Sequence, residues 1–363
     1  MNYNPLMVLD KIYEKLDNSI QELPDGYQMY VSDNNSWSGI RLVSEFYPDN
    51  AYVVNIKANA ENDYSLLEII LPTVKGEIHI SSFVVDREIR EYQFIFTPLF
   101  DSNSLSFRMS TFGGFATGKI YIKNINISDL FPIYDNSDLS EKIKILGPWF
   151  HQLDLKGIRT RDIYRTDSPS IPEGFISSFT EQDYINNPSW IWSKFKHSID
   201  TDLTGKEILD VACNCGFYSF ELAKRGAKVT SIDNSYQDIV RAKFAKKVLG
   251  INNVDFQFAD AKELENEFSM KFDLVLCLGL LYHLENPQSI IDTISRKSNI
   301  AVFETIVDER DIMIEKIEDH RKTEDGYVPT EKWLRNAFKK AGFSSITRIT
   351  PDNFYRMVFL CKK

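Results

Sequence analysis

The chain has 363 residues, of which 43% are hydrophobic and 13% aromatic, and its formal net charge is −10. This length exceeds one ordinary domain and fits two, and the apolar content is sufficient for two buried cores, which excludes long disordered segments. Most of the negative charge falls before residue 140. Because nucleic-acid-binding proteins need a basic face, this acidic balance favours a small or neutral substrate.

The cysteines and the apolar runs indicate the cellular compartment in which the protein is expected. The four cysteines, Cys213, Cys215, Cys277 and Cys361, are too few for a disulfide scaffold, and their spacing does not match a zinc site. We therefore expect no metal site and a reducing environment. The N-terminus lacks the continuous apolar core of a signal peptide, and no run reaches the roughly 18 apolar residues of a membrane helix. The sequence thus predicts a soluble, cytoplasmic protein.

The first 135 residues are predicted to form an accessory domain. Apolar residues at intervals of three and four predict a helix over residues 6–23, which packs on its own domain or mediates dimerisation. From about residue 27 to residue 128, short runs rich in β-branched and aromatic residues alternate with turn residues. This alternation of short strands and turns is typical of an antiparallel β-sandwich or jelly roll.

One segment and three aromatic residues of this accessory domain are similar to those of carbohydrate-binding modules. The segment "GKIYIKNINISDL" resembles the closing strand of sandwich domains that bind carbohydrate. Trp37, Phe46 and Tyr47 supply aromatic rings that suit the apolar face of a sugar. In the alternative interpretation these three residues belong to the core or to an interface.

The rest of the chain has a different organisation. After the linker "FPIYDNSDLS", residues 136–205 mix helix and loop and are predicted to form a lid region. From residue 206 to residue 363, strands alternate with helices, which predicts a mainly parallel Rossmann-like α/β sheet with antiparallel last strands. Strands are expected at 207–211, 228–232, 253–258, 272–278, 299–304, 344–349 and 354–361, and helices at 217–225, 235–249, 287–297 and 330–341.

The loop after the first of these strands is the most informative stretch. "DVACNCG" places Asp210, Ala212, Asn214 and Gly216 at alternate positions. A dinucleotide-binding fold would carry G-x-G-x-x-G here, so that the backbone can approach a pyrophosphate. That pattern is absent. The loop instead resembles the first motif of class I S-adenosylmethionine (SAM)-dependent methyltransferases, whose ligand has no phosphate.

Three later segments match the same family in order. "VTSIDNS" supplies Asp233 and Asn234, "VDFQFADAKEL" supplies Asp260 and Ala261, and "KFDLVLCLGLLYHLENP" supplies Leu278. The resemblance implies that Asp233 binds the ribose hydroxyls of SAM and that Asp260 and Ala261 contact the adenine. Asp210 and the small residues of the first loop would hold the amino acid end. The alternative is that each aspartate only caps a turn or a helix.

A narrower resemblance covers roughly residues 147–363. "GPWFHQLDLKGIRT", "LGLLYHLENP", "AVFETIVDE" and "VPTEKWLRNAFKKAGF" are similar to the branch that includes the bacterial tRNA wobble-uridine carboxymethyltransferase. That enzyme has a basic pair where this chain has Ile145 and Leu146, and its lysine helps to hold the carboxylate of carboxy-SAM. The resemblance therefore implies ordinary SAM as the donor and S-adenosylhomocysteine (SAH) as the product.

Candidate catalytic residues follow the fourth strand of the sheet. His283 is the best candidate for a general base because imidazole titrates near neutral pH. The alternative is that His283 only shapes the pocket. Tyr282 beside it is expected to contact the donor or the acceptor. Glu304, at the end of the fifth strand, is a candidate for orienting the substrate.

The predicted lid offers further substrate contacts. Trp149 and His151 lie in "GPWFHQL", and Arg159, Arg161 and Arg165 form a basic cluster that suits a carboxylate or phosphate on the substrate. In the alternative interpretation these arginines pair with neighbouring aspartates.

The sequence therefore predicts a SAM-dependent methyltransferase of the EC 2.1.1 type. The expected acceptor is a small molecule or saccharide, methylated at oxygen in cell-surface glycan or secondary-metabolite biosynthesis. No nucleic acid partner is expected, and a homodimer is a candidate assembly. The first alternative is an RNA methyltransferase acting on tRNA. The second is a non-catalytic binding protein, because Ala212 and Asn214 replace two usual glycines.

Overall fold

The computed structural model describes residues 8–11, 19–24, 26–31, 37–46, 50–62, 65–73, 76–96, 98, 102–110, 118–132, 139–161, 188–308, 321–322, 326–350 and 356–363. The chain divides into two compact units, Met1–Ile145 and Leu146–Lys363. Among the described residues, no helix is long and apolar enough to cross a membrane.

The N-terminal unit contains two five-stranded antiparallel sheets. With strands numbered in chain order, the first sheet runs β1 (Val8–Lys11), β4 (Trp37–Phe46), β9 (Ser102–Ser110), β6 (Ser65–Thr73) and β7 (Gly76–Val85). The second runs β2 (Ser19–Leu23), β3 (Gly26–Val31), β10 (Gly118–Pro132), β5 (Asn50–Ala60) and β8 (Arg90–Phe96). A short helix, α1 (Leu139–Ile145), ends the unit. The prediction that this region is strand-rich is confirmed.

The two sheets are amphipathic and contact each other. Along β5, Val54, Ile56 and Ala58 are fully buried while Lys57 between them is exposed. Successive side chains of a strand point to opposite faces, so this alternation gives the sheet one apolar face. Strands of one sheet contact strands of the other, β10 with β6 and β5 with β7. The apolar faces form the core of this unit.

Phe46 belongs to this core. Its side chain is 2% exposed, and its ring meets Tyr52 edge-on at 5.0 Å and Phe96 at 5.1 Å. A buried ring offers no face to a sugar, so the core interpretation holds for Phe46. Tyr47 lies outside the described residues, as does the side chain of Trp37.

The helix predicted over residues 6–23 is wrong in its described part. Val8–Lys11 is a strand paired with β4, and Ser19–Leu23 is a strand paired with β3. Apolar residues three and four apart suit a helix only when no sheet edge competes for the backbone. Here the ladder of an adjacent strand satisfies the amide and carbonyl groups, and tertiary pairing overrides the local pattern.

The C-terminal unit is built on a seven-stranded sheet. Its order is β15 (Val254–Phe258), β14 (Lys228–Asp233), β13 (Glu207–Val211), β16 (Leu274–Leu278), β17 (Ile300–Ile306), β21 (Arg356–Lys362) and β20 (Ser345–Arg348). The first five strands are parallel, and β21 is antiparallel to both β17 and β20. The predicted mainly parallel sheet with antiparallel last strands is confirmed.

Helices connect these strands. In chain order they are α2 (Pro188–Phe195), α3 (Phe217–Lys224), α4 (Tyr236–Leu249), α5 (Leu264–Glu267), α6 (Pro287–Lys297) and α7 (Glu331–Lys340). The ends of α4 have the expected chemistry, because Ser235 Oγ accepts from Asp238 N–H at 3.3 Å and Gly250 adopts a left-handed conformation. Two short hairpins complete the unit, β11 (Asp154–Leu155) with β12 (Ile158–Arg159) and β18 (Arg321–Lys322) with β19 (Tyr327–Val328).

The topology of the sheet fixes where a ligand can bind. Every residue of β16 is buried, as expected of a parallel strand covered by helices on both faces. The strand order runs outward in both directions from the neighbouring strands β13 and β16. In such sheets ligands bind beyond the carboxyl ends of the strands, at this switch point.

Candidate active site

The loop after β13 is held in an unusual backbone conformation. Ala212 has φ 59°, Asn214 has φ 50° and Gly216 has φ 88°, all in the left-handed region. A Cβ on Gly216 would lie 2.6 Å from Cζ of Phe256, so only glycine fits there. These alternate left-handed residues open the turn at the switch point of the sheet.

Asp233 joins this loop to the end of β14. Its Oδ2 accepts from the Asn214 N–H at 2.8 Å, and its Oδ1 accepts from the Ser235 N–H at 2.7 Å. Burial raises the pKa of Asp233 to about 6, although the two amide hydrogen bonds oppose the shift. Asp233 therefore caps the turn, as the alternative interpretation of the sequence expected. It also faces the space beyond the carboxyl ends of the strands.

Asp210 lies underneath the loop. Its side chain is 1% exposed, and its Oδ2 accepts a hydrogen bond from Ser219 Oγ at 2.6 Å. Ser219 in turn accepts from Ser231 Oγ at 2.9 Å. Burial raises the pKa of Asp210 to about 7. This chain of hydrogen bonds ties β13, α3 and β14 together below the loop.

The end of β15 contributes a polar and an apolar residue. Asp260 Oδ1 accepts from the Lys262 N–H at 2.8 Å, which caps a short 3-10 turn, and Ala261 in that turn is 9% exposed. Both residues face the same space as Asp233. A carboxylate next to a small apolar residue suits a ring with exocyclic polar groups.

The end of β16 leads into the residues expected to act on the substrate. Gly279 has φ 75°, and the 3-10 turn Leu281–His283 follows it. His283 is exposed, whereas Tyr282 is half-buried, and their rings lie 4.1 Å apart. The turn thus presents an imidazole and a phenol side by side.

A buried ion pair lies beside Tyr282. Arg356 on β21 donates to Glu304 on β17 through two bonds, Nε to Oε1 at 2.7 Å and Nη2 to Oε2 at 3.0 Å. Burial lowers the pKa of Arg356, but the adjacent Glu304 more than compensates, and the net shift is upward. A Cβ on Gly279 would lie 3.7 Å from Arg356 Nη2 and 3.9 Å from both Glu304 Oε2 and the Tyr282 hydroxyl. Three polar groups therefore converge above Gly279.

His151 reaches the same region from the segment before the sheet. It is 8% exposed, and its ring meets Tyr218 edge-on at 5.7 Å. Burial lowers the pKa of His151 to about 3, with help from the positive charges of Arg161 and Arg356. His151 is therefore a neutral imidazole at physiological pH.

One cavity of about 460 Å³ connects these groups. This volume lies within the range of small-molecule sites. The cavity brings together most of the site residues predicted from the sequence: Ala212, Asn214, Asp233, Asn234, Asp260, Ala261, Leu278, Tyr282, His283, His151 and Glu304.

The remaining predicted residues lie elsewhere. Asp210 and Gly216 support the loop from below, and Trp149 packs against Phe244 at 6.4 Å with 3% of its surface exposed. Arg159 is exposed on β12, and Arg161 follows it in a half-buried position. Arg165 lies outside the described residues.

Sequence reasoning missed several cavity residues, among them Arg356 and Tyr218. Arg356 lies 52 positions after Glu304, and only the antiparallel pairing of β21 with β17 brings them together. Tyr218 comes two residues after Gly216 of the first loop, and Phe150 lies between Trp149 and His151 in "GPWFHQL". An aromatic residue gives no local sign of whether it faces a core or a cavity.

Comparison with known proteins agrees with this geometry. Residues 202–356 match the family model described as "Methyltransferase domain". This segment is a methyltransferase domain. It covers less than half of the chain and includes all five parallel strands. The predicted class, a SAM-dependent methyltransferase, is confirmed, and SAM is the cofactor of this class.

Two kinds of relative match the methyltransferase domain. The tRNA U34 carboxymethyltransferase of Campylobacter lari is 25% identical over 239 residues, which are 64% of this chain and 75% of that protein. The ubiquinone biosynthesis O-methyltransferase of Dechloromonas aromatica is 39% identical over 94 residues, which are 26% of this chain and 40% of that protein. The chain thus spans about two fifths of the length of this second relative.

The comparison with solved structures also gives similarities. The N-terminal domain of EvdMO1, crystallised with SAH and D-fucose, has a TM-score of 0.45 and is 21% identical, with 63% of this chain and 97% of that domain covered.

The methyltransferase domain fits SAM by its own geometry. Ala212 and Asn214 of the left-handed loop line the cavity, and so do the carboxylates at the ends of β14 and β15. Within the described part of the chain, no group of three or more His, Cys, Asp or Glu residues could hold a metal ion.

Proposed function

We propose that the methyltransferase domain transfers a methyl group from SAM to a hydroxyl group of a small molecule or saccharide. One observation carries this proposal: a single cavity joins the loops at the ends of β13, β14, β15 and β16 to the Tyr282–His283 turn. The donor and the acceptor need to meet in one enclosed space, because alignment of the reacting atoms supplies much of the rate enhancement of such a displacement.

The donor would lie across the carboxyl ends of the strands. Asp233 would accept hydrogen bonds from the ribose hydroxyls, and Asp260 and Ala261 would contact the adenine. Ala212 and Asn214 would leave space for the amino acid end. Asp210 would act from below, since it supports the loop through Ser219 rather than lining the cavity.

The acceptor would lie beside the Tyr282–His283 turn. Bound SAM supplies an activated methyl group, and transfer to a hydroxyl breaks the sulfur–methyl bond, forms an oxygen–methyl bond and releases SAH and one proton. His283 would accept that proton, since it lines the cavity and its exposed ring can pass the proton on to water. Tyr282 would help to orient the hydroxyl.

Two further observations support oxygen as the acceptor atom. Two relatives that match about a quarter of this chain at 38% and 39% identity are O-methyltransferases by name. A histidine beside the transfer site is also of most use for a hydroxyl acceptor, because the hydroxyl must lose its proton.

Binding of SAH, measured by calorimetry, tests the donor site. Asp233→Ala should weaken SAH binding by about 10-fold or more, because an uncompensated loss of charged hydrogen bonds is large. The matched control is Asp255→Ala, which removes an exposed carboxylate of β15 and should leave affinity within about twofold. Absence of any SAH or SAM binding to the wild type would instead favour a non-catalytic protein.

Turnover tests the base. His283→Ala should reduce methyl transfer by roughly 100-fold and leave SAH affinity nearly unchanged. An equal loss of transfer and of SAH binding would remove His283 from the role of base and leave it a part of the donor pocket.

A second candidate function is methylation of tRNA. It is favoured by the relative from Campylobacter lari, whose similarity extends over 239 residues and so beyond the methyltransferase domain. An RNA substrate should co-purify with the protein and dissociate steeply as salt is raised. The acidic net charge of −10 favours the small-molecule acceptor.

A further inference from the structure

Three consecutive aromatic residues, Trp149, Phe150 and His151, lie in three different environments. Trp149 is 3% exposed and packs against Phe244, whereas Phe150 is 60% exposed and His151 is 8% exposed. Phe150 and His151 both line the cavity that holds the donor loops, and their rings lie 5.7 Å apart. Trp149 anchors the segment while its two neighbours face the cavity.

The position of His151 is fixed by its backbone. Its carbonyl oxygen accepts from Thr160 Oγ1 at 3.1 Å, and Thr160 Oγ1 accepts from the Leu153 N–H at 3.0 Å. The ring is held edge-on by Phe217 at 6.3 Å and by Tyr218 at 5.7 Å. His151 is thus held at its backbone by hydrogen bonds and at its ring by aromatic contacts, and such a side chain is preorganised for a ligand.

The Nδ1 atom of His151 is buried and has no hydrogen-bond partner among the described residues. A buried polar atom without a partner is costly, by about 1–3 kcal/mol, and such atoms are rare in folded proteins. The ring lines a cavity, so a bound molecule can supply the missing hydrogen bond. The unsatisfied Nδ1 and the position of the ring in the cavity lining are the two observations from which a ligand contact to His151 is inferred.

The charges around the cavity indicate the chemistry of that ligand. The guanidinium of Arg356 is already neutralised by two hydrogen bonds to Glu304. His151 itself is uncharged, because burial holds its pKa near 3. A neutral imidazole nitrogen either donates or accepts, and a hydroxyl group satisfies both cases since it does both. A carboxylate or phosphate only accepts, and the cavity lining holds four carboxylates against two cations, which disfavours an anionic ligand: Asp233, Asp238, Asp260 and Glu304 against Lys262 and Arg356.

Phe150, which is 60% exposed, adds an apolar ring to the lining of the cavity. Isolated exposed aromatic rings are common, but the centroid of this ring lies 5.7 Å from that of the His151 ring. An exposed phenylalanine face suits a flat or weakly polar ring, such as the apolar face of a sugar or a phenol.

We propose that Phe150 and His151 form the acceptor subsite for a neutral molecule that carries a hydroxyl group on a ring with an apolar face. The hydroxyl bonds to the imidazole of His151 while the ring lies against Phe150. The inference rests on the proposed methyl transfer, and it assigns His151 as a positioning residue distinct from the base. The same chemistry is found in sugars and in phenols.

Three variants test the subsite in the full-length chain. Phe150→Ala should raise the KM for the acceptor about 3- to 10-fold and leave kcat nearly unchanged, because it removes ring contact alone.

His151→Phe keeps the ring volume, and should lower kcat/KM about 10- to 100-fold. His151→Asn, which restores a polar atom near Nδ1, should recover part of that loss. Met270→Ala, an exposed apolar residue that does not line the cavity, is the control.

The probes are matched pairs of neutral and anionic rings, assayed by SAH release. Glucose and galactose are compared with glucuronate and galacturonate, and catechol with 3,4-dihydroxybenzoate. Turnover of a neutral sugar or of catechol, with the variant pattern above, supports the subsite, and which of the two reacts identifies the ring class. Preference for the acids, failure of all neutral probes, or wild-type kinetics in His151→Phe overturns it. Unchanged SAH affinity in every variant separates these outcomes from a failure of the donor site.

Discussion

The two units of this chain are both rich in strands, but they place their polar groups differently. The described core of the N-terminal unit is mostly apolar, and its buried charged residues are Glu68 in the sheets and Lys142 in α1. The C-terminal unit buries Asp210, His151 and Glu304 near the carboxyl ends of its central strands. Buried polar groups are costly, and a fold retains them where they bind or support a ligand. The difference distinguishes a packed module from a site.

The largest expected effect comes from breaking the buried ion pair. Glu304→Ala would leave the 11%-exposed side chain of Arg356 buried without this carboxylate, and the unfolding free energy should fall by about 3–5 kcal/mol. In the N-terminal unit, Arg90→Ala removes an exposed pair with Asp86 and should change stability by less than about 1 kcal/mol. Urea unfolding measures both, and similar losses would contradict the contrast between the units.

A core substitution tests whether the N-terminal unit is independent of donor binding. Phe46→Ala should destabilise that unit by about 3–5 kcal/mol, because it empties the space between Tyr52 and Phe96. Affinity for SAH should stay at the wild-type level. Phe303→Ala, in the core of the methyltransferase domain, should lower both stability and affinity. Scanning calorimetry and isothermal titration separate the two outcomes.

Two left-handed glycines of the C-terminal unit, Gly216 in the loop after β13 and Gly250 at the end of α4, can be compared directly. Gly216→Ala combines a left-handed backbone with a contact 2.6 Å from the ring of Phe256, and should cost roughly 2–4 kcal/mol and weaken SAH binding. Gly250 is also left-handed, at φ 66°, but no atom lies within 4 Å of its added Cβ. Gly250→Ala should therefore cost about 1–2 kcal/mol and spare SAH binding.

The pH dependence of stability reports on the buried carboxylate below the loop. The pKa of Asp210 is raised to about 7 in the folded state, above its usual value of 3.8. Between these values the folded state binds more protons than the unfolded state, so stability falls as pH rises from about 4 to about 7. The total loss should be about 4 kcal/mol, and it should disappear in Asp210→Asn. Denaturant titrations at several pH values measure the slope.

Ser219→Ala provides the matched variant. It removes the donor that lowers the pKa of Asp210, so the fall in stability should extend to higher pH than in the wild type. An unchanged profile in both variants would show that other groups cause the pH dependence.

The sequence by itself determined most of the C-terminal architecture. All seven strands and the four predicted helices of the sheet region lie within two residues of their predicted limits, because parallel strands and capped helices have strong local signals, whereas the short α5 was not predicted. Asp233, Asp260 and His283 lie at strand ends, and the carboxyl ends of parallel strands share one edge. Their shared cavity was therefore predictable from order along the chain.

Only the tertiary structure decided the remaining features. Residues 8–11 and 19–23 became strands because neighbouring strands offered hydrogen-bond partners that a helical pattern does not reveal. Arg356 reached Glu304 through the antiparallel pairing of two strands. The segment "WFH" put one aromatic residue in the core and two at the cavity. Burial and charge compensation arise between distant parts of the chain, and local sequence does not encode them.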